Sequence, residues 1–305
     1  MKQVLDVHVF YGPNPILRKE YTLDMIKEHH QKLKDQEIDA RFLIMATMPI
    51  VNDQLEEVYK ELEGIAVGVV PQINPNPNPP FPEFYPTTPS EDIWRLAEKD
   101  HVVAFKLIPP YTDFAIDDPR LAPYTGAFEK NKTPLMIHGS ADRKNLKNWD
   151  TPERVQRFLY NPENQWRYNG KLVLVHAGGL REDKIRAYME MADHRDADGN
   201  SQLALEISGF SGEDSGYDST AGAEDADVSK RAESTDPDKF LGITKELVAK
   251  IPNKVIFGSD WPELDWTLHP LSKLHEQGDI NNQQLEDILW NNAVNFFDKL
   301  AYLRK

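Results

Sequence analysis

The sequence predicts a (β/α)8 barrel, an α/β fold that takes residues 1–305 as a single domain. Three observations carry this. Eight short apolar or β-branched runs alternate with amphipathic helical stretches along the whole chain, and eight is the number that closes a parallel barrel. Several runs (Phe-Leu-Ile-Met at 42–45, Pro-Leu-Met-Ile at 134–137, Leu-Val-Leu-Val at 172–175) are apolar on both faces, as strands between a filled interior and a helical ring must be. No internal repeat beyond the strand–helix unit and no domain boundary is visible, and a chain of 305 residues is a normal size for one such barrel.

The first strand is predicted over residues 4–10 and the second over 40–48, followed by a helix at 53–64 that Gly64 stops in a left-handed turn. The third, 65–73, leads into a Pro- and Asn-rich segment, about 74–89, that carries Phe81, Phe84 and Tyr85. It follows a strand, so it belongs on the catalytic face. Ser90 then precedes Glu91-Asp92-Ile93-Trp94 as a helix start. The fourth strand is 102–109, with Asp118 before Pro119-Arg120-Leu121 marking the next helix. The fifth is 134–139, with Thr151 before Pro152-Glu153-Arg154; the sixth, seventh and eighth are 172–178, 203–208 and 255–258. After the seventh comes a second long segment, 210–236, with eight acidic residues against Lys230 and Arg231; its composition is that of a disordered loop. Residues 283–300 read as a long closing helix with Leu285, Ile288, Leu289, Phe296 and Phe297 on its apolar side.

Composition excludes several chemistries. There is no cysteine, hence no disulfide, thiolate metal site or cysteine nucleophile; a metal must be held by His, Asp, Glu or modified Lys. A net charge of −15 without a basic patch repels nucleic acid. The start Met-Lys-Gln-Val-Leu-Asp-Val-His lacks a signal peptide, and the longest apolar run, 42–51, is too short to span a bilayer. The expectation is a cytoplasmic protein acting on a small molecule, with no membrane. There is no Gly-rich phosphate loop and no Gly-x-Ser-x-Gly nucleophile elbow.

In a parallel barrel the chemistry sits at the C-terminal strand ends. The polar residues there are Asp6 and His8 on strand one, Lys106 on four, His138 on five, His176 on six, Glu206 and Ser208 on seven, and Ser259 and Asp260 on eight. One histidine ending an apolar run is most simply a structural residue. Three of them and an aspartate on four strands are a constellation: a buried carboxylate needs a partner, and three imidazoles beside it invite a divalent cation.

Asp-x-His on strand one, Lys-Leu-x-Pro on four, Asp117-Asp118-Pro119-Arg120-Leu121, Ile-His-Gly, Val-His-Ala-Gly-Gly, Phe-Gly-Ser-Asp-Trp-Pro and Asn292-Ala293 follow one another in an order that resembles the amidohydrolase-related metal-dependent hydrolases. That group includes decarboxylases of aromatic and 2-carboxy acids as well as lactone and ester hydrolases. The resemblance implies that His8, His138 and Asp260 are ligands of one divalent metal, zinc first, with manganese or iron as alternatives. It implies that His176 is the acid/base, with Asp260 as metal ligand or proton acceptor, and that the chain pairs as a homodimer. The family pattern at strand one is Asp-x-His-x-His, whereas here the second histidine position holds Phe10. Three readings stay open: a metal on the remaining ligands, a metal-free site in which His8, His138 and Asp260 polarise the substrate directly, or a barrel that has lost catalysis.

Other residues take supporting roles. Lys106 is read as ion-paired or substrate-facing, with Glu206 or Asp260 its expected partner. Glu206 and Asp6 are candidates to orient imidazoles. Arg143, Lys144 and Arg181 lie just beyond strands five and six, Arg143 as a grip for a substrate carboxylate. Trp261 is expected to wall the pocket with Phe10 near it, and Trp266 and His269 follow strand eight. His29, His30, His101, His194 and His275 read as surface residues. The leading function is hydrolysis of a small carboxylated lactone, ester or amide; the missing strand-one histidine tips the balance that way. Decarboxylation is the alternative, and a non-catalytic binding barrel the rival from another class.

Overall fold

The structure, a computed structural model, describes residues 2–14, 18–139, 151–160, 168–178, 182–193, 202–208, 240–262 and 268–304. The segment 210–236, Arg143, Lys144, Arg181, His194 and Trp266 lie outside them. The strands are β1 (Lys2–Asn14), β2 (Lys19–Tyr21), β3 (Ile38–Ala46), β4 (Ala66–Val70), β5 (Gln72–Ile73), β6 (Phe105–Leu107), β7 (Leu135–His138), β8 (Leu172–Val175), β9 (Leu203–Glu206) and β10 (Val255–Ile256). All but β2 fall on the predicted runs.

Parallel pairing runs β1–β3–β4 and β5–β6–β7–β8–β9–β10. β4 and β5 are one barrel strand interrupted at Pro71, whose carbonyl accepts from the Lys106 N–H at 2.8 Å. The Val69 carbonyl accepts from Val103 N–H at 3.0 Å, which joins that strand to the chain entering β6. The last gap closes where Val7 N–H donates to the Phe257 carbonyl at 3.3 Å and Phe10 N–H to Trp261 at 2.9 Å. The result is an eight-stranded parallel barrel in chain order, which leaves no sheet edge free.

The apolar-on-both-faces pattern has the expected use. Leu5, Met45, Val70, Met136, Val173, Ala204 and Ile256 fill the interior together with Trp290, Val294 and Phe297 from the end of the chain. Phe42, Ile44, Val69, Phe105, Leu135, Leu172 and Leu203 face the helices. Each of the larger aliphatic and phenylalanine side chains among them contributes roughly 1.5–3 kcal/mol by leaving water. β2 was not predicted: it turns back antiparallel on the extension of β1, with Gly12 opposite Tyr21, and buries the Tyr21 ring 6.3 Å from that of Phe10.

Helix starts follow the chemistry of their first residues. Thr22 accepts from Met25 N–H, Asp118 from Arg120 N–H, Thr151 from Arg154 N–H, and Asn281 forms a reciprocal capping box with Gln284. Ser90 is instead the first residue inside its helix, Ser90–Ala97, with Pro89 ahead of it. The predicted 53–64 helix opens as a 3-10 turn at Pro49–Gln54, continues at Leu55–Glu61 and is followed by Gly64 at φ +79°. The closing helix is Asn282–Glu286 and Asn292–Phe296 joined by a π turn, Asp287–Asn291. Asn292 pins it to the barrel, donating to the carbonyls of Pro252 at 2.7 Å and Val255 at 2.8 Å.

The 74–89 segment is held by its own polar side chains. Asn74 N–H donates to Thr88 Oγ1 (3.0 Å), Asn76 N–H to Asn74 Oδ1 (3.0 Å), and Asn76 Nδ2 to the Thr112 carbonyl (2.8 Å). His29 departs from its expected surface place: it is buried between Phe42 and Trp261, and burial lowers its pKa to about 4. No helix among the described residues is long and apolar enough to cross a membrane.

Candidate active site

Six strand ends, those of β1, β6, β7, β8, β9 and β10, converge at the C-terminal mouth of the barrel. Asp6 fixes the backbone that presents His8: its Oδ1 accepts from His8 N–H at 3.0 Å and from Ser259 N–H at 2.9 Å, tying the ends of the first and last barrel strands together. The β1–β3 register shifts between Asp6 and Val9, and such an irregularity re-aims the side chains around it. Asp6 therefore orients the main chain that carries His8, and its charge also acts on the His8 imidazole that it was expected to orient. Burial raises its pKa to about 6 against the pull of these hydrogen bonds.

The His8 ring is fully buried, with Nε2 3.0 Å from Asp260 Oδ1 and 2.6 Å from Lys106 Nζ. That nitrogen can donate to the carboxylate or accept from the ammonium, but not both at once. Its other nitrogen, Nδ1, lies 3.3 Å from Ser208 Oγ and 3.6 Å from Glu206 Oε2. Burial and the Lys106 charge push the His8 pKa down, yet Asp260 and Glu206 outweigh them and hold it above the usual imidazole value. Burial likewise opposes the charge on Asp260, but His8, His176 and Lys106 keep its carboxyl well below the ordinary range. The expected partner of Lys106 was Glu206 or Asp260; its charge acts on Asp260, while its ammonium contacts His8 and lies 4.9 Å from the Phe10 ring centroid, a cation–π contact. Phe10 thus holds the lysine in place of ligating anything.

His176, Ala177 and Asp260 have left-handed backbones, with φ of +54°, +46° and +62°. Such conformations in residues other than glycine cost about 1–3 kcal/mol each and persist where the surroundings over-determine them. For His176 those surroundings are Glu206 and Ser208. Glu206 Oε2 accepts from His176 N–H (3.1 Å) and from Ser208 Oγ (2.8 Å), while Oε1 accepts from Ser208 N–H (2.7 Å). Ser208 Oγ is also 2.8 Å from His176 Nδ1. With the hydroxyl proton on Glu206, His176 Nδ1 is the donor to Ser208 and its Nε2 carries the lone pair. Burial lowers the His176 pKa against the opposing pull of Asp260 and Glu206. A side chain at Gly258 would overlap the Glu206 carboxylate and come within 2.9 Å of the His8 Cβ, so only glycine leaves room for this chain of contacts.

The His138 ring stands edge-on to His176 at 4.8 Å between centroids. Its Nδ1 is buried and has no hydrogen-bond partner among the described residues. Burial, then His176 and Lys106, hold its pKa well below the imidazole value. Among the described residues the donors that come closest together are one atom each of His8, His176 and Asp260, all within 4.8 Å of one another. His138, the ligand expected from the sequence, borders this group without being one of the three. Trp261 is not a pocket wall either. Its ring stacks on His29 at 4.4 Å and 12°, on the outer side of the barrel against the helix Leu23–Asp35.

Ser208 is the member the sequence reading missed as a site residue. Its signal was there: it lies two residues after Glu206, on the same side of the chain by strand alternation.

The amidohydrolase family profile matches residues 79–299. No curated protein sequence matches this chain. Among solved structures, 5-carboxyvanillate decarboxylase from Sphingomonas paucimobilis is 15% identical and aligns over 98% of this chain and 99% of its own, with a TM-score of 0.58. IDCase from Metarhizium anisopliae is 13% identical over 97% of each chain, at 0.62. 2,6-Dihydroxybenzoate decarboxylase from Rhizobium is 14% identical over 98% and 99%, at 0.61. At these identities the likeness is one of fold.

Proposed function

The chain belongs to the amidohydrolase family, and on that premise we propose that it hydrolyses a small carboxylated lactone, ester or amide at His8, His138, His176 and Asp260. The observation that carries the reading is the His176–Ser208–Glu206 chain, 2.8 Å at each step. It leaves His176 Nε2 as a lone pair backed by a buried carboxylate, the arrangement of a general base.

The donor set suits one divalent cation. His8 Nε2 and Asp260 Oδ1 face each other at 3.0 Å, and His138 Nδ1 is a buried nitrogen in want of a partner. These three would hold the ion, zinc first by ligand type, with manganese or iron as alternatives. When bound, it supplies a bound water whose pKa falls towards neutrality. His176 Nε2 takes the proton of the attacking water, and Glu206, through Ser208, stabilises the imidazolium that results. The same proton returns to the leaving oxygen or nitrogen. Asp260, held as a carboxylate, keeps His8 oriented. The compact grouping of His176 with His8 and Asp260 supports the exchanged assignment, His176 as ligand and His138 as proton carrier. Metal content separates the two: the ligand's alanine variant loses the ion and the proton carrier's keeps it.

Decarboxylation is the second reading, favoured by the decarboxylases of the same fold. There the bond to the carboxylate breaks, CO₂ leaves, and the electron pair on carbon takes a proton delivered by His176. Incubating the protein with a panel of lactones, esters, amides and aromatic carboxylic acids, and following both acid production and CO₂ release, decides between them. Hydrolysis without CO₂ supports the first reading, CO₂ without ring or ester opening the second. Neither, together with biological activity unchanged in His138→Ala and His176→Ala, would leave a non-catalytic barrel.

A further inference from the structure

We propose that Gln72 is a substrate-binding residue whose carboxamide N–H, beside the Lys106 ammonium, donates to the carboxylate of the substrate. Gln72 is 1% exposed, yet its Nε2 has no hydrogen-bond partner among the described residues. A buried amide N–H left unmade costs about 1–3 kcal/mol, so a group that persists in this state inside a site is expected to be completed by a ligand.

Three features direct it. First, Gln72 is the register partner of Lys106 in the parallel pair β5–β6. Register partners in neighbouring strands point to the same side, and Lys106 points inward, to His8 and Phe10. Second, Val70 belongs to the interior cluster and Ile73 to the helix-facing one, which by alternation turns Gln72 into the barrel. Third, its main chain is clamped. The last β3 partner of this strand is Met45, opposite Val70, so no strand is left to pair with Gln72 on that side. Asn52 takes the missing strand's place, its Oδ1 accepting from Gln72 N–H at 3.0 Å and its Nδ2 donating to the Gln72 carbonyl at 2.7 Å.

An inward-facing neutral donor on a clamped main chain, in register with a buried ammonium on the adjacent strand, makes a pair suited to the two oxygens of one carboxylate. This rests on the carboxylated substrate proposed above. The pair also has a selective consequence: a neutral analogue of the substrate gives these donors a poorer acceptor.

The test is calorimetric titration of the full-length protein with benzoate and with 2,6-dihydroxybenzoate, in wild type, Gln72→Met and Gln72→Glu, with thermal midpoints recorded for each. Expected is binding by the wild type, about tenfold weaker in the methionine variant and weaker still in the glutamate variant, whose charge repels the ligand, with both variants folded. Wild-type-like binding in both variants would overturn the role of Gln72 and leave the proposed function standing. Equal losses in both, tracking a lowered thermal midpoint, would mean a packing role and overturn it as well. Failure of the wild type to bind either acid would remove the carboxylate reading itself, and this inference with it.

Discussion

Glu206 joins His8, His176 and Ser208, although it is fully buried and at the end of a four-residue strand. Burial opposes its charge, but hydrogen bonding and the charges of His8 and His176 hold its pKa below the usual carboxylate value, so it is the anion that a protonated His176 leans on. Glu206→Gln replaces an acceptor by an amide whose N–H must face donors. Activity is expected to fall about 10–100-fold, as for other carboxylates that orient a working imidazole, while metal content and the folded spectrum are retained. A variant as active as the wild type would remove Glu206 from the chemistry. At this scale the strand-end residues His8, His138, His176, Glu206 and Asp260 were legible in the sequence, because a polar side chain ending an apolar run stands out. The partners were not: Lys106 on His8, Phe10 under Lys106 and Ser208 between His176 and Glu206 are contacts between strands far apart in the chain, which no local pattern encodes.

The strand ends are held from outside the barrel as well as within. The chain leaving β10 passes through Asp260 in a left-handed conformation and then stacks Trp261 on His29 of the first helix. His29 is a neutral part of that stack. Its folded pKa of about 4 lies below the ordinary 6.5, so above pH 6.5 both folded and unfolded chains are neutral there. As pH falls from 6.5 to 4, only the unfolded chain takes up the proton, and the fold loses up to about 3 kcal/mol. His29→Phe keeps the stack without the titration. Urea midpoints at pH 7 and pH 5 are expected to fall less in the variant than in the wild type; an identical fall would show that His29 is not the group responsible. At the base of the same strand, Asn292→Ala forfeits two hydrogen bonds to main-chain carbonyls, and a cost of about 1–3 kcal/mol should appear in the same denaturation measurement. Helix periodicity and capping residues foretold most of these elements. The π turn at Asp287–Asn291 and the β2 hairpin arm were hidden, since each is set by what the segment packs against and not by its own propensity.

For the molecule as a whole, eight apolar runs in chain order were enough to foresee the closed barrel, and the barrel in turn decides which strand ends share a mouth. What the sequence could not foresee is how the barrel's interior is divided. Above the apolar plug the interior is polar: Asp6, Lys106, Glu206, His8 and His176 are all buried, with Lys106 and Asp260 at one nitrogen of the His8 ring and Glu206 near the other. The Phe10 ring supports the fully buried Lys106 ammonium that crowds His8 Nε2. Whether a divalent cation shares that nitrogen is therefore the decisive question. It is answered by elemental analysis of the full chain purified without added metal or chelator, alongside His8→Ala, Asp260→Ala, His138→Ala and His176→Ala. About one zinc, manganese or iron per chain is expected in the wild type and in His176→Ala, and is expected to be lost in the other three. No metal in the wild type even after incubation with these ions, or equal metal in His8→Ala and Asp260→Ala, would contradict a cation centre built on these residues.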